Sequence, residues 1–358
     1  MHVASLRQNA SPPLWVLSPS PRRGALSAVF PAIALCVAST SAPADEGGVS
    51  FWQPGTYNSL SATPNQPGWS VSSNIYTGPT FGGNSVAVAR LIRIGAQDPS
   101  GQAQVTANTK GYDNIVTITP SYLFADEILG AQVELGLSTV VGHSTSEVYG
   151  TLAATTGSRA AYSRFDFSDF VTGFGDPAPQ VTLYWKNGDN YFMAYGTGGV
   201  PFGEYSKLSL TNLGVGHAAV DIGGGYTYYS YDKGLEFSAV SGFTYNLKNW
   251  STNYQNGVDF HFDSGASKYL NDNLFIGPVG YFYREFGCDS GAGDKQGCFQ
   301  SQVAGAGGQI GFTFPVDHVQ GYVNLVSYKE FLAENRAPGW SVRLTVSLSP
   351  REPKDAKY

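Results

Sequence analysis

Residues 340–348 read Trp-Ser-Val-Arg-Leu-Thr-Val-Ser-Leu: every even position is large and apolar, and every odd one is polar, small or charged. In an extended strand successive side chains point to opposite faces, so this stretch has one apolar wall and one wet wall. Segments with the same two faces recur along the chain between turn residues. The pattern suits a soluble β-sandwich, or a membrane barrel whose outside meets lipid and whose inside meets water. The two alternatives differ in loop lengths, in charge and in export signals.

Asp, Glu, Lys and Arg make up only 13% of the 358 residues, about half the usual share of a soluble domain. Aromatics reach 14%, with 22 Tyr, alongside 44 Gly. Few charges, many tyrosines and small residues in strands fit an outer-membrane barrel with aromatic girdles. A sandwich exterior would carry more charge than these polar faces do. Past the N-terminal region no run is apolar for about 18 residues, which excludes crossing a membrane with helices. A net charge of −6 and the lack of a basic cluster interleaved with aromatics exclude nucleic acid as a partner.

The N-terminus carries an export address. Arg22-Arg23 precedes an apolar run at 25–38, and Ala42-Pro43-Ala44 follows ahead of Asp45. That is a positive n-region, a short h-region broken by Pro31 and an A-x-A-like cleavage site, so residues 1–44 are expected to be a signal peptide. Cys36 leaves with it. Cys288 and Cys298 remain, bracketing a polar, Gly-rich loop, and an exported pair of this kind is expected to form one disulfide.

Residues 45–68 are rich in Gly, Pro, Ser and Asn and show no alternation, which predicts an extended segment outside the sheet. From Trp69 onward strands alternate with connections, and the connections alternate between short and long. Short turns are expected at 126–130, 187–189 (an Asn-Gly hairpin signal), 232–234, 271–273 and 315–318. Longer connections are expected at 142–178, 198–216, 247–256, 287–299 and 332–338. Short periplasmic turns and long external loops are the rhythm of an outer-membrane barrel. The prediction is therefore an all-β, transmembrane, antiparallel up-and-down barrel of about twelve strands (12–14) over 69–348, with a tail at 349–358. Both ends then lie on the periplasmic side. Within 79–111, segments 86–94 and 104–108 are expected either as extra strands or as an inward-folded loop.

Alternation also assigns facing. Leu235, Phe237, Ala239, Ser241, Phe243 and Tyr245 point to lipid, as do Val258, Phe260, Phe262 and Ala266. Asp259, His261 and Asp263 then share the lumen face. They could form a cation site or a polar step guiding a phenolic hydroxyl, or simply a wet wall with the His bonded to a carboxylate. Asp221, Glu236, Glu134 and Arg343 are also expected inside, where opposite charges stiffen the wall or set selectivity.

His143-Ser144-Thr145 invites comparison with an outer-membrane hydrolase, in which His and Ser two residues apart share one face. Here they are adjacent, so they face opposite ways, and the residue two along is a Thr. Gly223-Gly224-Gly225 sits within a strand pattern, not at a strand-to-helix phosphate turn. Like the glycines of 305–308, it is expected to permit a bend, to make room for a neighbouring side chain or to widen the lumen. No catalytic, metal or cofactor motif stands out.

Several stretches resemble the MetA-pathway of phenol degradation family of bacterial outer-membrane barrels. They include 45–55 (Asp-Glu-Gly-Gly-Val-Ser-Phe-Trp-Gln-Pro-Gly), Pro67-Gly68-Trp69 and Gly173-Phe174-Gly175-Asp176. Others are Gly223-Gly224-Gly225-Tyr226-Thr227-Tyr228, Gly242-Phe243-Thr244-Tyr245-Asn246, Tyr254-Gln255-Asn256-Gly257 and Gly308-Gln309-Ile310-Gly311. The resemblance spans nearly the whole mature chain. It implies an outer-membrane location and passive uptake of small hydrophobic or aromatic compounds, with no catalytic residues to carry over and no cofactor. Expected partners are outer-membrane lipid, such solutes and the barrel assembly machinery. By analogy with the similar long-chain fatty-acid transporter, residues 45–68, with Phe51 and Trp52, are expected to form a hatch in the lumen. Two other roles remain open, a structural or adhesive barrel with a filled lumen and an outer-membrane hydrolase. One departure stands out: such barrels usually end on an aromatic residue closing the last strand, whereas here Leu348 is followed by Pro350 and a charged tail.

Overall fold

The alternating segments at 235–246, 258–266 and 340–348 all lie in strands of one antiparallel sheet. The structure is a computed structural model and describes residues 51–79, 88–93, 102–156, 159–294, 300–336 and 338–351. The expected signal peptide, residues 45–50, Cys298 and the tail beyond 351 lie outside the described residues.

The strands are β1 (Gly68–Pro79), β2 (Val88–Arg93), β3 (Gln102–Ile128), β4 (Ala131–Thr156), β5 (Arg159–Phe174), β6 (Ala178–Asn187) and β7 (Asn190–Gly199). They continue with β8 (Ala219–Ser230), β9 (Leu235–Asn246), β10 (Val258–Tyr269), β11 (Leu274–Phe286), β12 (Gln302–Val316), β13 (Val319–Glu334) and β14 (Trp340–Pro350). Pairing runs β1–β3–β4–β6 and then through each successive strand to β14, which pairs back with β1 from Val71↔Leu348 to Thr77↔Val342. Twelve strands therefore close a barrel, while β2 and β5 pair only with β3 and β4 respectively. The last strand runs two residues past Leu348, Pro350 standing opposite Val319.

Tight turns at the short-loop end use residues that accept a left-handed backbone. Gly188 (φ 60°) turns the Asn-Gly hairpin between β6 and β7, and Leu129 and Gly130 (φ 54° and 71°) turn β3 into β4. Burial alternates as a two-sided wall requires. In β9 the residues Glu236, Ser238, Val240, Gly242, Thr244 and Asn246 are buried, while Leu235, Phe237, Phe243 and Tyr245 are exposed. The exterior is correspondingly apolar, with Leu135, Phe237, Phe243, Ile276, Ile310 and Leu325 among its exposed side chains. Trp69 packs on Tyr122, centroids 5.2 Å apart, at the short-turn end, and Trp340 stands exposed at the other. An apolar belt between aromatic rims is the surface of a barrel that spans the outer membrane.

The segment 142–178 is not a loop, contrary to expectation. β4 continues to Thr156 and β5 descends beside it, from Thr156↔Arg159 to Val141↔Phe174. With 27 and 26 residues, β3 and β4 are more than twice the 12 of β9, whereas a membrane crossing needs about 9–11. The excess amounts to roughly 50 Å of strand or more at about 3.3 Å per residue. In the described upper part of β4, residues 147–153 are not sorted into a buried and an exposed face, so the apolar alternation that marks a lipid-facing strand is missing. Of the two possibilities for 79–111, the described residues form strands: β2 pairs with β3 over Val88↔Ala107 to Arg93↔Gln102, while 80–87 and 94–101 lie outside the described residues.

β5 and β6 make one descending line along β4, interrupted at Gly175-Asp176-Pro177. β7 pairs with β6 up to Gln180↔Thr197. The segment that follows, 200–217, folds back against the interruption: Asp176 accepts bonds from the Gly203 and Val215 amides at 2.7 and 2.8 Å. Glu204 N–H adds a bond to the Phe174 carbonyl at 2.8 Å.

Candidate functional site

Inside the barrel, inward residues of neighbouring strands stand in rows set by the register. One row runs Tyr195 (β7), Gly223 (β8), Gly242 (β9), His261 (β10) and Tyr283 (β11). The two glycines leave the wall bare, so the Tyr195 ring lies along it and its hydroxyl comes within 3.2 Å of His261 Nε2. A Cβ on Gly223 would meet Tyr195, and one on Gly242 would meet both Tyr195 and His261. The same arrangement recurs where Gly305 lets the Tyr281 ring reach Glu330 Oε1, a 2.8 Å bond. These glycines therefore make room for rings that fill the lumen; they do not widen it.

In the next row Asp221 stands opposite Thr244 and Thr244 opposite Asp259. Asp221 Oδ2 accepts from Thr244 at 2.5 Å and lies 3.1 Å from His261 Nε2, with both partners fully buried. Asp259 has different partners: Tyr283 O–H at 2.7 Å and Asn246 Nδ2 at 2.7 Å. Asp263 has others again. The Asp259-His261-Asp263 ladder is thus one face but three separate bonding groups. Among the described residues no group of three or more His, Cys, Asp or Glu could hold a metal ion.

Residues 51–67 lie within the lumen and are fastened by the side chains of six strands. Asp263 on β10 accepts from the Gly55 and Tyr57 amides at 2.8 and 3.1 Å. Glu236 on β9 accepts from the Leu60 amide at 2.9 Å, and Thr227 on β8 from the Ala62 amide at 3.0 Å. Gln309 on β12 donates to Ser59 Oγ at 2.6 Å, and Asn324 on β13 to Asn58 Oδ1 at 3.0 Å. Arg343 on β14 donates to the Pro54 carbonyl at 2.7 Å and covers the Tyr76 ring, 4.8 Å from its centroid. An irregular segment cannot satisfy its own backbone, so the wall supplies the missing partners. This explains why so many polar side chains face the lumen.

The aromatic side chains of the segment meet the His261 row. Trp52 stacks on the His261 ring, centroids 3.7 Å apart and planes at 11°. Tyr57 and Tyr195 flank it at 5.6 and 6.0 Å, and Met193, Val240 and Ala62 complete a buried cluster. Phe51 packs over Gly199. Burial, reinforced by the Asp221 and Asp263 carboxylates, pushes the Tyr57 phenol well above its usual value, so it stays neutral. Glu134 stands opposite the buried Thr182, two residues before Tyr184, which packs against this cluster.

The structure separates the remaining candidates. His143 faces outward, Nδ1 2.7 Å from Thr172 Oγ1, while Ser144 is buried on the inner face against Asp113 and Thr211. No proton can pass between them. Cys288 is disulfide-bonded, and the expected partner Cys298 lies outside the described residues. Sequence reasoning passed over Tyr195, Tyr57, Met193, Gln309 and Asn324. An inward Tyr with glycines across two neighbouring strands is a recognisable signal, but only once the register is known.

A family described as "Putative MetA-pathway of phenol degradation" matches residues 71–346. A search of the curated proteins found no match. Among solved structures, the chain is similar to the COG4313 outer membrane channel from Pseudomonas putida F1 at TM-score 0.52 and 14% identity, over 84% of this chain and 99% of that one. At that identity the likeness is one of fold, a single closed outer-membrane barrel. Weaker similarities are to the CymD monoaromatic hydrocarbon channel (TM-score 0.38, 8% identity, 80% and 89% covered) and a Pseudomonas aeruginosa FadL homologue (0.35, 8%, 79% and 89%).

Proposed function

We propose that this chain, which belongs to the MetA-pathway of phenol degradation family, is an outer-membrane channel for passive uptake of small hydrophobic or aromatic compounds, with residues 45–68 as its hatch. The observation that carries the reading is how the lumen is closed. No strand pairing fixes residues 51–67 to the barrel; side-chain hydrogen bonds and one aromatic stack do. Each such bond contributes a net ~0.5–1.5 kcal/mol, so the closure can be undone piecemeal while the sheet stays intact.

The fastening runs to β8, β9, β10, β12, β13 and, through Arg343, to β14. Beyond Arg343, the wall formed by β1, β3 and the end of β14 carries Ser72, Asn74, Thr119, Thr345 and Ser347, small groups of intermediate exposure. A shift of the hatch away from this wall opens a path past it. A solute would partition into the Tyr- and Trp-rich mouth, pass beside the hatch and leave down its gradient. Rings bind weakly to such surfaces by apolar contact and stacking, which suits transfer better than retention. No cofactor takes part. Insertion of the barrel would rely on the assembly machinery of the outer membrane.

One observation favours a second reading, a structural barrel with a permanently filled lumen: the Trp52, Tyr195 and Val240 cluster is fully packed. Uptake separates the two. Cells whose outer membrane carries the chain should take up radiolabelled phenolic compounds several-fold faster than cells without it. Equal rates for every phenol and alkane tried would leave only the filled barrel.

A further inference from the structure

We infer that the face of His261 now covered by Trp52 is a binding site for a planar aromatic solute bearing a hydroxyl group, and that Trp52 occupies it as an internal competitor. The inference rests on the uptake reading, since the site is reached only through the lumen. Three observations carry it.

First, the site belongs to the barrel and not to the hatch. His261, Tyr195 and Asp221 sit on β10, β7 and β8, fixed by register, with Gly223 and Gly242 holding the space between them open. Withdrawal of residues 51–57 would leave this wall standing, with Met193 and Val240 beside it as apolar lining. A preformed, mostly apolar recess with a few convergent polar groups is the usual form of a small-molecule site.

Second, the occupant is an aromatic ring in the geometry a solute ring would adopt. The Trp52 indole lies nearly parallel to the imidazole, 3.7 Å between centroids and 11° between planes. Tyr57 and Tyr195 close its surroundings. Of these, Trp52 and Tyr57 leave together, because both belong to the hatch.

Third, the wall has unused hydrogen-bonding capacity at this point. Asp221 Oδ1 and His261 Nδ1 are buried on fully buried side chains and have no hydrogen-bond partner. Buried polar atoms are nearly always bonded. A phenolic O–H can donate to the Asp221 oxygen while its ring stacks on His261, so phenols gain over hydrocarbons of the same shape.

The test uses the full chain in detergent micelles, with binding of 1-naphthol and of its methyl ether followed by equilibrium dialysis. Trp52→Ala should bind 1-naphthol at least tenfold more tightly than the wild type, because the competitor is gone. Adding His261→Ala should abolish that gain, and the methyl ether, which cannot donate, should gain several-fold less. Equal affinity in Trp52→Ala and the double variant, or no gain in either, overturns the site. Should Trp52→Ala fail to fold, Trp52→Leu keeps apolar bulk without a stacking face, and it must show the same His261-dependent gain. Cellular uptake is measured in parallel. Uptake without the binding gain removes the site alone, whereas a gain without chain-dependent uptake removes the channel reading and keeps the site.

Discussion

The Tyr195 hydroxyl reaches His261 Nε2, 3.2 Å away, across two intervening strands whose residues at that level are Gly223 and Gly242. A tyrosine lying flat against a barrel wall needs those two positions free of Cβ atoms. A Cβ at Gly242 would collide with the Tyr195 hydroxyl and the His261 ring, and these two side chains, bonded to each other and covered by Trp52, have little room to retreat. Gly242→Ala should therefore destabilise the barrel by about 1–3 kcal/mol, the usual range for overpacking. Gly224→Ala is its control, because a Cβ there meets only the Met193 carbonyl, at 3.2 Å. Urea unfolding of both variants in lipid vesicles checks this, and equal midpoints would contradict the account of the row.

Asp263 makes the sharpest test of how the hatch is held. One carboxylate accepts from two hatch amides, Gly55 and Tyr57, at a fully buried position. Asp263→Ala strands both donors, and an unsatisfied buried amide costs about 1–3 kcal/mol. The hatch should loosen, with single-channel conductance rising several-fold and proteolysis within 51–67 accelerating. The barrel itself should keep its resistance to unfolding by detergent. Unchanged conductance together with unchanged proteolysis would show that the other five strands hold the hatch alone.

The fold was largely legible in the sequence because lipid writes it there. Where one face meets hydrocarbon, as along Leu235, Phe237 and Phe243, alternation is imposed and can be read residue by residue. Where the side chains are not sorted into a buried and an exposed face, as along 147–153 of β4, no such pressure exists, and 142–178 reads as a loop. The candidate site was legible only by halves. Asp259, His261 and Asp263 could be placed on one face from spacing alone, but their partners could not. Those depend on cross-strand register, which brings Tyr195 to His261 over a sequence separation of 66 residues. The hatch contacts are longer still: Gly55 to Asp263 spans 208 positions. No local pattern encodes such pairs.

The interruption between β5 and β6 is held by Asp176, whose two oxygens accept from the Gly203 and Val215 amides at 2.7 and 2.8 Å. Both amides belong to the segment that folds back over the gap in strand pairing. Asp176→Ala should release that segment. Hydrogen exchange at Gly203 and Val215 should quicken at least tenfold, corresponding to about 1.4 kcal/mol of lost protection, while amides of β9 and β10 stay as slow as before. Uniform acceleration across the sheet would mean that Asp176 supports the whole barrel, not the gap.

Glu330 sits where the glycine device meets the long-loop end of the lumen. Its Oε1 accepts from Tyr281 O–H at 2.8 Å and pairs with Arg336 at 3.1 Å, while Oε2 accepts from the Gly339 amide at 2.8 Å. Arg336 is 3% exposed in its side chain, so its charge has little water to turn to if the carboxylate is lost. Breaking a buried pair from one side typically costs about 3–5 kcal/mol, whereas replacing both partners by apolar groups is often close to neutral. Glu330→Leu should therefore lower stability by on the order of 3 kcal/mol, and Arg336→Met on that background should recover much of it. Denaturant midpoints of the two single variants and the double variant give the coupling directly. Additive losses would mean that the pair is solvated enough to ignore. A recovery would show that this end of the lumen is dry even though its wall is built from charged residues.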